Sequence, residues 1–215
     1  MVRRLLTLVL VLGLAGPVLA DDLIPPPWDR YTPNTVFAHW GFDNPADDGV
    51  YVAEDFWQMD YFADPIIDTY YGDADWYDEW EGRDGVLGPW GGDTVQMHLD
   101  NYNCNNPVKY MYIQVTWWTG GDQPLPEVFD AYSSHGDVTW SDAVLTDEED
   151  LGGGWMYNRW YIEMWPNPEW EWINFYADGD MYIDQIVVDT LCTIPAPGVL
   201  ALLGVAGLIQ RRRRQ

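Results

Sequence analysis

From residue 94 to 190 apolar and polar side chains alternate with a period of two, the spacing of a strand that buries one face. In VKYMYIQVTWW (108–118) Met111, Ile113, Val115 and Trp117 share one side, and Tyr110, Tyr112, Gln114, Thr116 and Trp118 share the other. TVQMHLD (94–100) places Val95, Met97 and Leu99 inside, with Gln96, His98 and Asp100 outside. GWMYNRWYIEMW (154–165) buries Met156, Trp160, Ile162 and Met164 and presents Trp155, Tyr157, Arg159, Tyr161 and Glu163. Pro166, Asn167 and Pro168 then signal a turn, followed by EWEWINFYA (169–177), an Asp178-Gly179 turn and MYIDQIVVDT (181–190). These last three segments predict a closing meander. The stretch 53–93 reads as loop. The pattern predicts an all-β chain with one antiparallel β-sandwich domain over 21–194.

The two ends break this pattern. Arg3 and Arg4, the apolar run Leu5 to Leu14 and the small-residue site at Val18, Leu19 and Ala20 read as a signal peptide over 1–20. At the other end Pro195, Ala196, Pro197 and Gly198 precede VLALLGVAGLIQ (199–210) and then Arg211, Arg212, Arg213 and Arg214. A Pro-x-Pro break, an apolar transmembrane helix and a basic cluster, in that order, resemble the PEP-CTERM sorting domain. Ala196 stands where the name-giving motif has glutamate. The resemblance implies an exosortase-type processing enzyme as partner, export across the inner membrane, transient anchoring through the helix, and final residence at the cell surface or in the extracellular matrix. The proline pair keeps the backbone extended before the helix, and the arginines stay cytoplasmic. A plain membrane anchor with a proline-containing linker is the alternative. Separately, YIDQIVVDT (182–190) resembles the closing strand of jelly-roll modules of the carbohydrate-binding type, which implies a jelly-roll-like sandwich.

Charge narrows the partners. Of ten basic residues, six lie in the end segments, so 21–194 holds Arg30, Arg83, Lys109 and Arg159 against all 35 acidic residues, a net charge of −31. Nucleic acid is excluded, because phosphate binding needs a basic surface. So large a charge held close to anionic headgroups is repelled, which favours release of the domain from its anchor. Cys104, in a polar loop, and Cys192, past the last strand, are expected to pair in an oxidising compartment, a bridge worth roughly 4–5 kcal/mol in the chain-entropy model. Two separate thiols are the alternative.

Three chemistries are open to the domain. The first is sugar contact through Tyr110, Tyr112 and Trp118, whose flat rings on an outward face would cover the apolar side of a pyranose. Core packing is the alternative for the same rings. The second is structural Ca²⁺ at the acidic runs DNPADDG (43–49) and GDADWYDEWEGRDG (72–85), although neither has EF-hand spacing and no cofactor is required. The third is glycoside hydrolysis by Glu163, Glu169 and Glu171, yet nothing singles out a pair, and His39, His98 and His135 form no zinc motif. The sequence reads as a non-catalytic, exported, exosortase-sorted surface or matrix protein with a structural or adhesive role. A module recognising exopolysaccharide, with or without Ca²⁺, is the alternative.

Overall fold

The computed structural model describes residues 22–193 apart from 47, 59–62, 70–73, 89–92, 102–106, 121–126, 134–138 and 178–179. The expected signal peptide, the sorting tail 195–215 and Cys104 lie outside the described residues. The first seven strands are β1 (Thr35–Trp40), β2 (Val50–Val52), β3 (Asp55–Gln58), β4 (Ile66–Asp68), β5 (Asp75–Trp80), β6 (Arg83–Gly88) and β7 (Asp93–Asp100). Then come β8 (Val108–Trp118), β9 (Glu127–Ser133), β10 (Thr139–Trp140), β11 (Val144–Gly152), β12 (Trp155–Trp165), β13 (Trp170–Ala177) and β14 (Tyr182–Thr193). Among the described residues there is no helix, and the strands form two antiparallel sheets.

The larger sheet runs β10-β12-β8-β14-β1-β3, with β11 also on β12 and the β5-β6 hairpin joined to β14. The smaller runs β2-β4-β7-β13-β9. One buried cluster joins the two. Val36, Trp40, Met111, Ile113, Trp117 and Ile186 from the larger sheet enter it with Ile67, Val95, Met97, Leu99, Ile173 and Phe175 from the smaller. Trp160 meets Phe175 edge to face across the gap, ring centres 6.0 Å apart. Each such fully buried apolar side chain contributes about 1.5–3 kcal/mol.

The alternation placed β8 and β7 in their correct phases, with Met111, Ile113, Val115, Val95, Met97 and Leu99 all sealed. The closing meander is corrected. β13 lies in the smaller sheet between β7 and β9, whereas β12 and β14 flank β8 in the larger one. Consecutive strands therefore change sheets, because period-two alternation specifies a buried face and not a pairing partner.

The expected loop 53–93 instead contributes four strands. Its sharpest feature is the β5-β6 hairpin, closed at Glu81 and Gly82 with φ of 45° and 81°. Two successive positive φ values are what a two-residue type I′ turn requires. Further along, Gly85 has φ +67°, and a Cβ there would lie 2.5 Å from Phe42 O, so the hairpin can press onto the β1-β2 connection only without a side chain.

The outward face of β12 is also corrected. Trp155, Tyr157 and Arg159, expected to face solvent, are buried. The segment before β1 covers part of that face, with Trp28 stacked on Tyr112 at 5.4 Å, and the hairpin covers another part, where Glu81 O accepts the Trp155 indole N–H at 3.1 Å. At the sheet's edge, by contrast, β11 exposes Glu148, Glu149 and Asp150. Charged edges of this kind resist pairing with another chain.

Candidate functional site

The three aromatic candidates sit on the outer face of β8 and separate into two groups. Tyr112 stacks with Trp28 and also meets the Arg159 guanidinium, whose carbon lies 3.7 Å from the ring centre. Tyr161 completes this group, 5.2 Å from Tyr112 and 6.0 Å from Tyr110, and its hydroxyl donates to Glu163 Oε1 at 2.7 Å. Burial first, and then the hydrogen bond to Glu163, push the Tyr161 hydroxyl well above the usual phenol range. Trp118 is six residues further along the strand, about 20 Å away. It packs edge-on to Trp80 and Tyr182, both at 5.7 Å, and donates its indole N–H to Gly153 O at 3.0 Å. Trp80 and Tyr182 in turn stack at 3.9 Å. The rings thus spend much of their area on one another, and no single platform joins Tyr110, Tyr112 and Trp118.

Beside the Trp118 group lies a polar cleft of about 340 Å³. His39 of β1, the Gly41–Asp43 corner, Glu54, the hairpin residues Arg83 and Asp84, and Asp184 and Gln185 of β14 line it. Its walls are braced. Glu54 accepts backbone N–H groups from Gly41 at 2.9 Å and Asp43 at 2.8 Å. Arg83 donates to Asp184 at 2.6 Å while its guanidinium lies over Trp155 at 4.8 Å, which ties the cleft to the aromatic group. His39 Nε2 lies 3.3 Å from Gln185 Oε1, and Gln185 donates on to Thr116 Oγ1 at 3.3 Å. Fixed donors and acceptors around a polar cleft suit a hydroxyl-rich ligand.

The carboxylates proposed for hydrolysis are dispersed. Glu163 lies on the larger sheet and Glu171 on the smaller, and Glu171 is fully buried, out of reach of any substrate. The second acidic run is mostly the β5-β6 hairpin, where Asp75, Asp78, Glu79, Glu81 and Asp84 are solvent-exposed. Among the described residues no group of three or more His, Cys, Asp or Glu is placed to hold a metal ion. His98 lies 4.8 Å from the Trp172 ring and 3.8 Å from Asp100, and His135 is outside the described residues.

Four cations serve the domain, and all but Arg159 are committed to a carboxylate distant in sequence. Arg30 bridges Asp22 and Asp189 and Arg83 meets Asp184. Arg159 meets Asp147 at 3.3 Å, and Lys109 meets Glu171. The Lys109 pair is completely buried between the sheets, where Asn101 joins both partners. A signal for it existed in the sequence: Lys109 falls in the same phase as Met111 and Ile113, a charged group at a core position. Cys192 of β14 lies directly opposite Lys109 of β8, buried, with its thiol donating to Asn167 Oδ1 at 3.2 Å. No disulfide occurs among the described residues, and Cys104, the expected partner, is not one of them. No family model, curated protein or solved structure matches this chain.

Proposed function

We propose that this chain is an exported, exosortase-sorted component of the cell surface or extracellular matrix, structural or adhesive in role and non-catalytic, whose folded part is a jelly-roll-like β-sandwich. The observation that carries the reading is the order of three unrelated features in the tail: Pro195-Ala196-Pro197, the apolar 199–210 and Arg211 to Arg214. Three properties of the folded part support a passive role. Its carboxylates vastly outnumber its cations, its glutamates are dispersed or sealed, and its aromatic rings pack on one another. A charge of this size also favours release, since an uncleaved tail holds the domain against anionic headgroups that repel it.

The test is the intact mass and C-terminal peptide of protein recovered from the host envelope and medium. A chain ending near Pro195 to Pro197 is expected. Recovery with Arg211 to Arg214 attached would make the tail an ordinary anchor and defeat the sorting reading.

The cleft bounded by His39, Glu54, Arg83 and Asp184 favours a second reading, an exopolysaccharide-binding module. Arg83 carries the argument, since it lies over Trp155 and faces the cleft, so ligand binding there would alter tryptophan emission. Titration of intrinsic fluorescence with polysaccharides, with and without a chelator, tests it. A saturable change lost in Arg83→Ala is expected, and a flat response to every glycan would remove the reading.

A further inference from the structure

Lys109 is the only lysine in the sequence, and it is fully buried. Arginine, which supplies the cation of the pairs at Asp22, Asp189, Asp184 and Asp147, is always protonated and is no nucleophile, whereas a lysine amine becomes one once it gives up a proton. Among the described residues two groups touch its Nζ: Glu171 Oε1 and Asn101 Oδ1. Glu171 uses its other oxygen, Oε2, to accept from Asn101 Nδ2. One carboxylate therefore bridges the amine and the amide nitrogen, and the amine lies against the carboxamide itself.

We propose that Lys109 and Asn101 form an intramolecular amide bond, with Glu171 carrying the proton and ammonia leaving. The ammonium first passes a proton to the Glu171 carboxylate, which removes two charges from a site where burial makes them costly. The neutral amine attacks Asn101 Cγ, forming the new C–N bond. Glu171 takes the second proton from the attacking nitrogen as it delivers the first to Nδ2, the Cγ–Nδ2 bond breaks, and ammonia departs with that proton. The proton left on Glu171 is released with ammonia as ammonium, so atoms and charge balance and no oxidant or other reactant is needed.

The surroundings favour this chemistry. Asn101 is held by its own N–H to Glu169 O at 2.8 Å and by Nδ2 to Pro168 O at 2.9 Å. Fixing nucleophile and carbonyl in contact removes most of the entropic barrier to their reaction. Met164 and Cys192 flank Lys109 in the larger sheet and Leu99 flanks Glu171 in the smaller, all buried, so water is kept from hydrolysing the product. The bond would tie β8 of one sheet to the end of β7 in the other.

The full-length exported protein, denatured, is treated with an amine-reactive label and digested with trypsin. The expected result is a chain lighter by one ammonia, no label on Lys109, no cleavage after Lys109, and the mass loss located between Asp84 and Arg159. In Glu171→Gln the lost ammonia, the label and the cleavage should all be restored. If that variant fails to fold, the wild-type result still decides. Full mass with a labelled, cleavable Lys109 overturns the proposal. Loss of ammonia with Lys109 still reactive also overturns it, since that is a succinimide at Asn101. Loss of water instead would make Glu171 the acyl partner and overturn the assignment of Asn101.

Discussion

Lys109 and Arg30 are cations paired with carboxylates on opposite faces of the larger sheet. Lys109 points between the sheets with Glu171, neither exposing any side-chain surface. Arg30 lies on the outer face, 14% exposed, shared between the sealed Asp189 and the partly solvated Asp22. Burial works to lower the Arg30 guanidinium, yet the hydrogen bonds it donates to Asp22 and Asp189 outweigh that and hold the cation firmly protonated. Asp189 moves the other way from a simple salt-bridge partner. Burial raises it, and Arg30 offsets only part of that rise. The outer-face pair thus has water at one of its carboxylates, whereas the inter-sheet pair is sealed from it on both sides.

The largest expected effect follows from breaking the sealed pair. Lys109→Met leaves Glu171 unpaired and removes the proposed amide, and is expected to cost about 3–5 kcal/mol or more in urea unfolding, whereas Lys109→Met with Glu171→Leu should recover only the part due to the buried, unpaired carboxylate. A single variant as stable as wild type would show that the pair is not the tie between the sheets. Arg30→Ala is expected to be milder, about 1.5–3 kcal/mol, because Asp189 can take up a proton and water reaches Asp22. Equal losses at the two sites would erase the distinction drawn here.

Acidity sharpens the comparison. Burial raises Asp100 too, with His98 lowering it in part. For a carboxyl group whose folded value lies above its unfolded one, the native state binds the proton more readily. Its contribution is complete below the unfolded value of 3.8 and is lost as pH rises through the raised folded value. Stability should therefore increase as pH falls from neutrality toward that window, in the same direction as relief of self-repulsion among the acidic residues. Urea midpoints between pH 7 and 4 check this, and Asp100→Asn should flatten the slope. A midpoint that falls steadily on acidification would contradict it.

The smallest effect is expected at Arg159, whose partner Asp147 is 34% exposed on the edge strand β11. Asp147→Asn should change stability by no more than about 1 kcal/mol, less with added salt.

Strands such as β8 and β12 could be read to within a residue of their ends because neighbours two apart carry the signal. β1 and β11 could not. TVFAHW is buried at every position but one, so no alternation remains, and VLTDEEDLG is largely exposed and becomes a strand through pairing with β12. The cleft was illegible for a related reason: His39, Glu54, Arg83 and Asp184 come from four separate segments. Tyr112 and Trp118 were visible as outward-facing rings, but Trp28 and Trp80, which cover them, are remote in sequence.

Local alternation was enough to determine that the described residues are all-β and which side of β7 and β8 faces inward, and the composition determined an acidic domain with only four lysines and arginines. Tertiary structure decided which sheet each strand joins, which carboxylate each cation takes, and that Lys109, Asn101 and Glu171 meet. The reason is physical. A side chain's face follows from backbone geometry two residues long, whereas its partner depends on contacts between segments that only the completed sheets bring together.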